Sequence, residues 1–147
     1  MSAWFRGGEM DENLIAHILV SLVAVMIMIG PMVADFNRTH ATNPLWTPHA
    51  RFHVVWQVLT NSTLALLTLY FIWGAGNLML GALMNYIWIA TFFVTLAAMP
   101  MFEGALADEN GIKPFIWKFG DKVVKVDTNL FGACMMTVLN TTALAIS

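Results

Sequence analysis

The chain has 147 residues, 59% of them hydrophobic and only 11% charged, with a formal net charge of −2 and a single cysteine. A mean hydropathy of +0.69 lies well above that of soluble domains, and the apolar residues fall in runs long enough to cross a bilayer. The sequence therefore predicts an all-α integral membrane protein, a four-transmembrane-helix bundle in one domain; the charge gives no sign of nucleic acid, and Cys134 alone excludes an intramolecular disulfide and a CxxC pair.

The opening places Arg6 ahead of Glu9, Asp11 and Glu12, acids that suit the N-terminus of a following helix. It lacks the basic start and short apolar core of a cleavable signal, so it is expected to be retained. The first span is predicted over Asn13 to Ala34, with Gly30-Pro31 loosening its last turn. Thr47 as N-cap and Pro48 at the first helical position open the second span, His49 to Trp73. Gly74-Ala75-Gly76-Asn77 reads as a tight turn before a third span, Leu78 to Met101. The long loop Phe102 to Val126 carries Glu103, Asp108, Glu109, Lys113, Lys118, Asp121, Lys122 and Lys125. Interleaved with them are Ile112, Phe115, Ile116, Trp117, Phe119 and Val123, which predict an interfacial helix over about 112–125, lying on the bilayer with its lysines toward head groups. The last span runs from Asp127 to Ser147.

Six of the seven basic residues fall in the loops after spans one and three or, for Arg51, in the first turn of span two beside that loop, against Arg6 alone on the other side. The positive-inside rule then puts both loops in the cytoplasm, for an integral protein of a bacterial inner membrane.

Polar chemistry concentrates between Asp35 and Gln57, where His40, His49 and His53 stand with Arg38 and Arg51 between two apolar segments. His49 and His53 are four apart on a helix that has just begun, the spacing that lets two imidazoles share a metal or face one flat cofactor. Gln57 and Asn61 extend the same four-residue repeat. Spans three and four offer matching lines, Asn85, Trp88, Thr91 and Thr95 on one, Cys134, Thr137, Asn140 and Thr141 on the other, predicting a bundle interior that is polar along much of its depth. The plain alternative is that these groups only glue helices together, at on the order of 0.6 kcal/mol per contact. His17, near the far end of span one, is too distant to join the other histidines and is expected to pack or hydrogen-bond.

Two kinds of cofactor suit the stretch. A non-haem iron, manganese or zinc site would draw on His53, His49 and His40 with Asp35 or Glu103. A haem would take His53 as axial ligand, with His49, Trp56 and Gln57 beside it and Trp46, Phe52 and Trp88 as walls.

The four short spans, the polar first loop and Ala50-Arg51-Phe52-His53 opening span two, with Asn61 two turns on, resemble the small membrane isomerases typified by styrene oxide isomerase. That resemblance implies haem b on His53, its ferric iron acting as a Lewis acid on the oxygen of a small apolar epoxide, and a homo-oligomer, a trimer with haem between subunits. It also implies Asn61 as an amide that positions the substrate and Tyr86 as the tyrosine of the site; in the haem reading Asn85 is a further amide expected to orient the oxygen. The run from Asn37 to His49 is similar instead to uncharacterised small bacterial membrane proteins. A rival reading from the residues is a non-enzymatic structural or accessory subunit, in which Asn43-Pro44 and Thr47-Pro48 brace a turn. A third is a proton relay or transporter.

Overall fold

The computed structural model describes residues 12–107 and 113–147. Arg6, Glu9 and Asp11, expected to precede the first helix, and Asp108, Glu109 and Ile112 of the long loop lie outside the described residues. The order of elements is α1 (Glu12–Asp35), α2 (Pro48–Leu69), α3 (Leu78–Ala98), β1 (Phe115–Phe119), β2 (Lys122–Val126) and α4 (Thr128–Ala145). Three segments, Asn13–Asp35, Pro48–Gly74 and Leu78–Met101, are long and apolar enough to cross a membrane. The fourth helix has 18 residues, about 27 Å at the α-helical rise, and is interrupted by Asn129, Thr137, Asn140, Thr141 and Thr142.

Local chemistry sets the helix ends. α2 opens where Thr47, in extended backbone, accepts from the N–H of Ala50, and Pro48 fills a position whose N–H would have lacked a partner. It closes in one π-type turn, Tyr70–Gly74, after which Gly76 takes φ +62° and Asn77 accepts from the N–H of Leu80 to start α3. Asp127 starts α4 by accepting from the N–H groups of Asn129 and Leu130. α1 runs on through Pro31 to Asp35, and its last turn is capped by the Asn37 amide, which donates to the carbonyls of Val33 and Ala34.

α1 packs against all three other helices, while α2 packs against α1 and α3. The interior consists of Ala16, Val20, Ile72, Ala82 and Ala143 at one level, and Val23, Ile27, Ile89 and Met136 at another. Small residues let backbones approach, as membrane helices require where lipid provides no hydrophobic drive. Gly81 is such a case between helices: a Cβ there would lie 2.6 Å from Ile72 Cγ1 and 3.3 Å from the Thr68 carbonyl oxygen.

The segment expected as an interfacial helix is instead an antiparallel hairpin, pairing Phe115 with Val126 through to Phe119 with Lys122. The aromatic residues there recur with a period of two. Phe115, Trp117 and Phe119 share one face with Val124 and Val126, and Ile116, Lys118, Val123 and Lys125 share the other. Gly120, at φ +59°, leads the two-residue Gly120-Asp121 loop, the glycine-first pattern of a type II′ hairpin turn. The hairpin is fastened to the start of α4: the Thr128 hydroxyl donates to the Lys113 carbonyl, and the rings of Phe115 and Trp117 meet Phe131 edge-on at centroid distances of 5.3 and 6.2 Å.

Candidate functional site

His49 and His53 meet, as their spacing requires. Their Nε2 atoms are 3.0 Å apart, with the rings edge-on and centroids 4.5 Å apart. Both rings are exposed, so the pair lies on the outer side of α2 rather than inside the bundle. Phe52 and Trp56 flank it, with centroids 5.9 Å from that of His53 in each case, and continue into an open apolar groove of about 230 Å³ lined by Phe52, Val55, Trp56 and Leu59. A second groove, lined by Trp56, Leu59, Thr60, Thr63, Leu64 and Leu67, extends it along the same helix.

The predicted stripe from His49 to Asn61 does not stay on one face. Each four-residue step overshoots a full turn by about 40°, so three steps rotate a side chain by about 120°. Gln57 is still exposed with the histidines, whereas Asn61 has turned inward and is 7% exposed. Among the described residues its buried Nδ2 has no hydrogen-bond acceptor.

The other two expected ligands stand apart in the turn. His40 Nδ1 is 2.7 Å from the Thr39 hydroxyl and 3.9 Å from Asp35 Oδ1, and its ring meets Trp46 edge-on. That turn is braced by asparagines: Asn37 Oδ1 accepts from the N–H and hydroxyl of Thr39, while buried Asn43 accepts from the N–H of Leu45 and donates to the Thr39 carbonyl. Turn chemistry thus accounts for the run around Asn43-Pro44. Among the described residues no three His, Cys, Asp or Glu side chains converge as a metal group, so His53, His49, His40 and Asp35 form two pairs rather than one cluster. Glu103 sits in an exposed turn at φ +54°.

Asn85 and Tyr86 also fall elsewhere. Asn85 is fully buried, its Nδ2 donating to the Val20 carbonyl at 3.0 Å and to Asn140 Oδ1 at 2.9 Å, while the Thr68 hydroxyl lies 3.3 Å from its Oδ1. Asn140 in turn donates to the Ala82 carbonyl at 3.0 Å. This knot joins all four helices and was visible beforehand only as two asparagines on separate spans. Tyr86 pairs its hydroxyl with that of Thr141 at 2.6 Å. The hydroxyls of Thr91, Thr95 and Thr137 turn back to carbonyls of their own helices, and Cys134 is exposed, so the interior is less polar than the predicted lines imply. Trp88 packs with the Val23–Ile27 cluster and stacks on Phe92. His17 lies against Trp73 at a centroid distance of 5.3 Å; the Trp73 indole donates to Ser21, whose hydroxyl donates to the His17 carbonyl.

No curated protein and no solved structure matches this chain. A family model described as "Family of unknown function (DUF6640)" matches residues 19–115, a span that begins within α1 and takes in the whole histidine stretch, α2 and α3. Since the match covers more than half of the chain, the protein belongs to that family.

Proposed function

We propose that this chain is a metal-binding subunit of a membrane homo-oligomer, with His49 and His53 as two ligands of one ion at the start of α2. The supporting observation is the 3.0 Å separation of the two Nε2 atoms on an exposed face. Two imidazole nitrogens bound to one tetrahedral ion at about 2.0–2.1 Å stand roughly 3.3 Å apart, close to the separation here, and the ion would take the place of the proton that the two rings share in their hydrogen bond. A non-haem iron or zinc ion fits this donor set. Such ions take three or more ligands, and the remaining ones come from a further copy of the chain. The same packing covers Gln57 and Thr60, polar side chains exposed on the flank of α2 that hydrocarbon would leave without partners.

Haem b is a second reading, favoured by the apolar groove that begins at Phe52 and Trp56 beside His53. That groove and its extension along α2 are open on one side, so a haem also needs a wall from another copy. Either group would supply Lewis-acid polarisation of an oxygen atom, and isomerisation of a small apolar epoxide to an aldehyde or ketone is the reaction that the resemblance to styrene oxide isomerase suggests. The chain's own part is to hold the group through His53 and His49 and to offer apolar walls to a substrate that arrives from the bilayer. Asn61, with an unused amide donor one turn below Gln57, is the residue that would orient a substrate oxygen after a modest rotation of α2. In this reading α4 is the fourth span, and the histidine end faces the cytoplasm of a bacterial inner membrane.

The test is the absorption spectrum and metal content of detergent-purified protein, beside His53→Ala and His17→Ala. A metal that is retained by the wild type and His17→Ala but lost from His53→Ala supports the proposal, and a Soret band assigns it to haem. Protein that carries neither metal nor haem overturns it in favour of a structural subunit.

A further inference from the structure

The hairpin β1–β2 is exposed on both faces. Ile116, Phe119 and Val123 are each more than half exposed, and Phe115, Trp117 and Val124 are exposed to more than two fifths despite the contacts with Phe131. A two-stranded hairpin is marginal in water unless a face is covered, and here one aromatic side chain of α4 is the cover that the ring contacts show. Its charge is one-sided. Residues 113–126 carry Lys113, Lys118, Lys122 and Lys125 against Asp121 alone, and all five side chains are exposed. The hairpin is also tied to a particular height, since Thr128 on the first turn of α4 holds the Lys113 carbonyl and Asp127 caps that helix directly after β2.

We infer that the hairpin docks on the anionic surface of the lipid leaflet from which α4 departs. Trp117 and Phe119 sit at the boundary of head groups and acyl chains, where amphipathic and aromatic rings are favoured, and the lysines reach the phosphates. Charge complementarity selects the occupant: four lysines against one aspartate suit anionic head groups, and a leaflet covers an extended strand pair that presents aromatics along its whole length. The strand form matters to this docking. On the Ile116–Val123 face, Lys118 and Lys125 lie diagonally across the ladder, while Lys122 stands at the tip beside Phe119, so cations flank the apolar groups on both faces.

The experiment is hydrogen exchange of the full-length protein in nanodiscs of phosphatidylcholine alone and of phosphatidylcholine mixed with phosphatidylserine, read at the amides of residues 115–126. Exchange should slow by on the order of tenfold or more in the anionic discs, and high salt should reverse the gain. The triple variant Lys118→Gln/Lys122→Gln/Lys125→Gln should exchange alike in both discs, while α1 to α4 stay protected as in the wild type. Inorganic phosphate added to the zwitterionic discs should not reproduce the effect. Equal exchange in the two lipids for the wild type overturns the inference, as does a triple variant that still responds to phosphatidylserine; protection produced by phosphate alone reassigns the lysines to a free anion and overturns leaflet docking.

Discussion

Replacing Asn85 by leucine, which branches at the same atom and is bulkier, removes the centre of the polar knot without opening a void. The cost follows from what is left behind. The Val20 carbonyl keeps its place in the α1 ladder, and the Thr68 hydroxyl keeps the Leu64 carbonyl at 3.1 Å, so neither is orphaned. Asn140 Oδ1 loses the donor at 2.9 Å and is on a residue that is 0% exposed. An orphaned buried acceptor costs about 1–3 kcal/mol, while interhelical contacts in membranes average about 0.6 and reach about 1.7 kcal/mol, so Asn85→Leu should destabilise the bundle by roughly 1–2 kcal/mol. Asn140→Leu should cost about as much, because it leaves one Asn85 amide hydrogen unused. The double variant is the decisive member of the set. With both amides gone nothing polar is stranded, and its loss should be near that of one single variant instead of their sum. Equilibrium unfolding in mixed micelles, titrated with a denaturing detergent and followed by helicity, gives all three values. Additive losses, or single variants indistinguishable from the wild type, would refute the reasoning.

Asn61→Leu should behave in the opposite sense in the same assay, being neutral or stabilising by up to about 1 kcal/mol, because it deletes a buried amide donor that has no acceptor; a loss as large as that of Asn85→Leu would contradict this. Gly81→Ala should cost about 1–3 kcal/mol through the contact with Ile72 Cγ1, and the same change should cost less in an Ile72→Ala background, which carries its own cavity cost of about 2–5 kcal/mol. Full stability of Gly81→Ala would show that α2 and α3 do not approach as closely as described.

The sequence carried the helices well because their ends are written in local chemistry. Thr47-Pro48, the glycines before Asn77 and Asp127 each mark a boundary that backbone geometry then uses. The hairpin was equally legible but in a different period: alternating Phe115, Trp117 and Phe119 and the Gly120-Asp121 pair are strand and turn signals, and reading hydrophobic content alone as an interfacial helix passed over them. For the site, the i, i+4 spacing of His49 and His53 was enough to predict that their rings would meet. Continuing the repeat to Asn61 failed because a four-residue step is not a whole number of turns, and the drift carries the fourth residue into the interior. The partition of His40 and Asp35 away from the α2 pair could not be read from spacing, since it depends on the path of the turn, and that path is set by side-chain bonds of Asn37 and Asn43. The meeting of Asn85 with Asn140 was likewise out of reach, because the two residues are 55 apart in sequence and their contact depends on the relative depth of two helices.

The central claim is that the imidazoles of His49 and His53 grip a non-protein group. Metal analysis of the purified wild type alongside His49→Ala and His53→Ala, each checked for intact helicity, addresses it most directly. Stoichiometric metal in the wild type that falls to background in both variants is the predicted outcome. Wild-type protein without metal or haem, or variants that hold as much of either as the wild type, would contradict it.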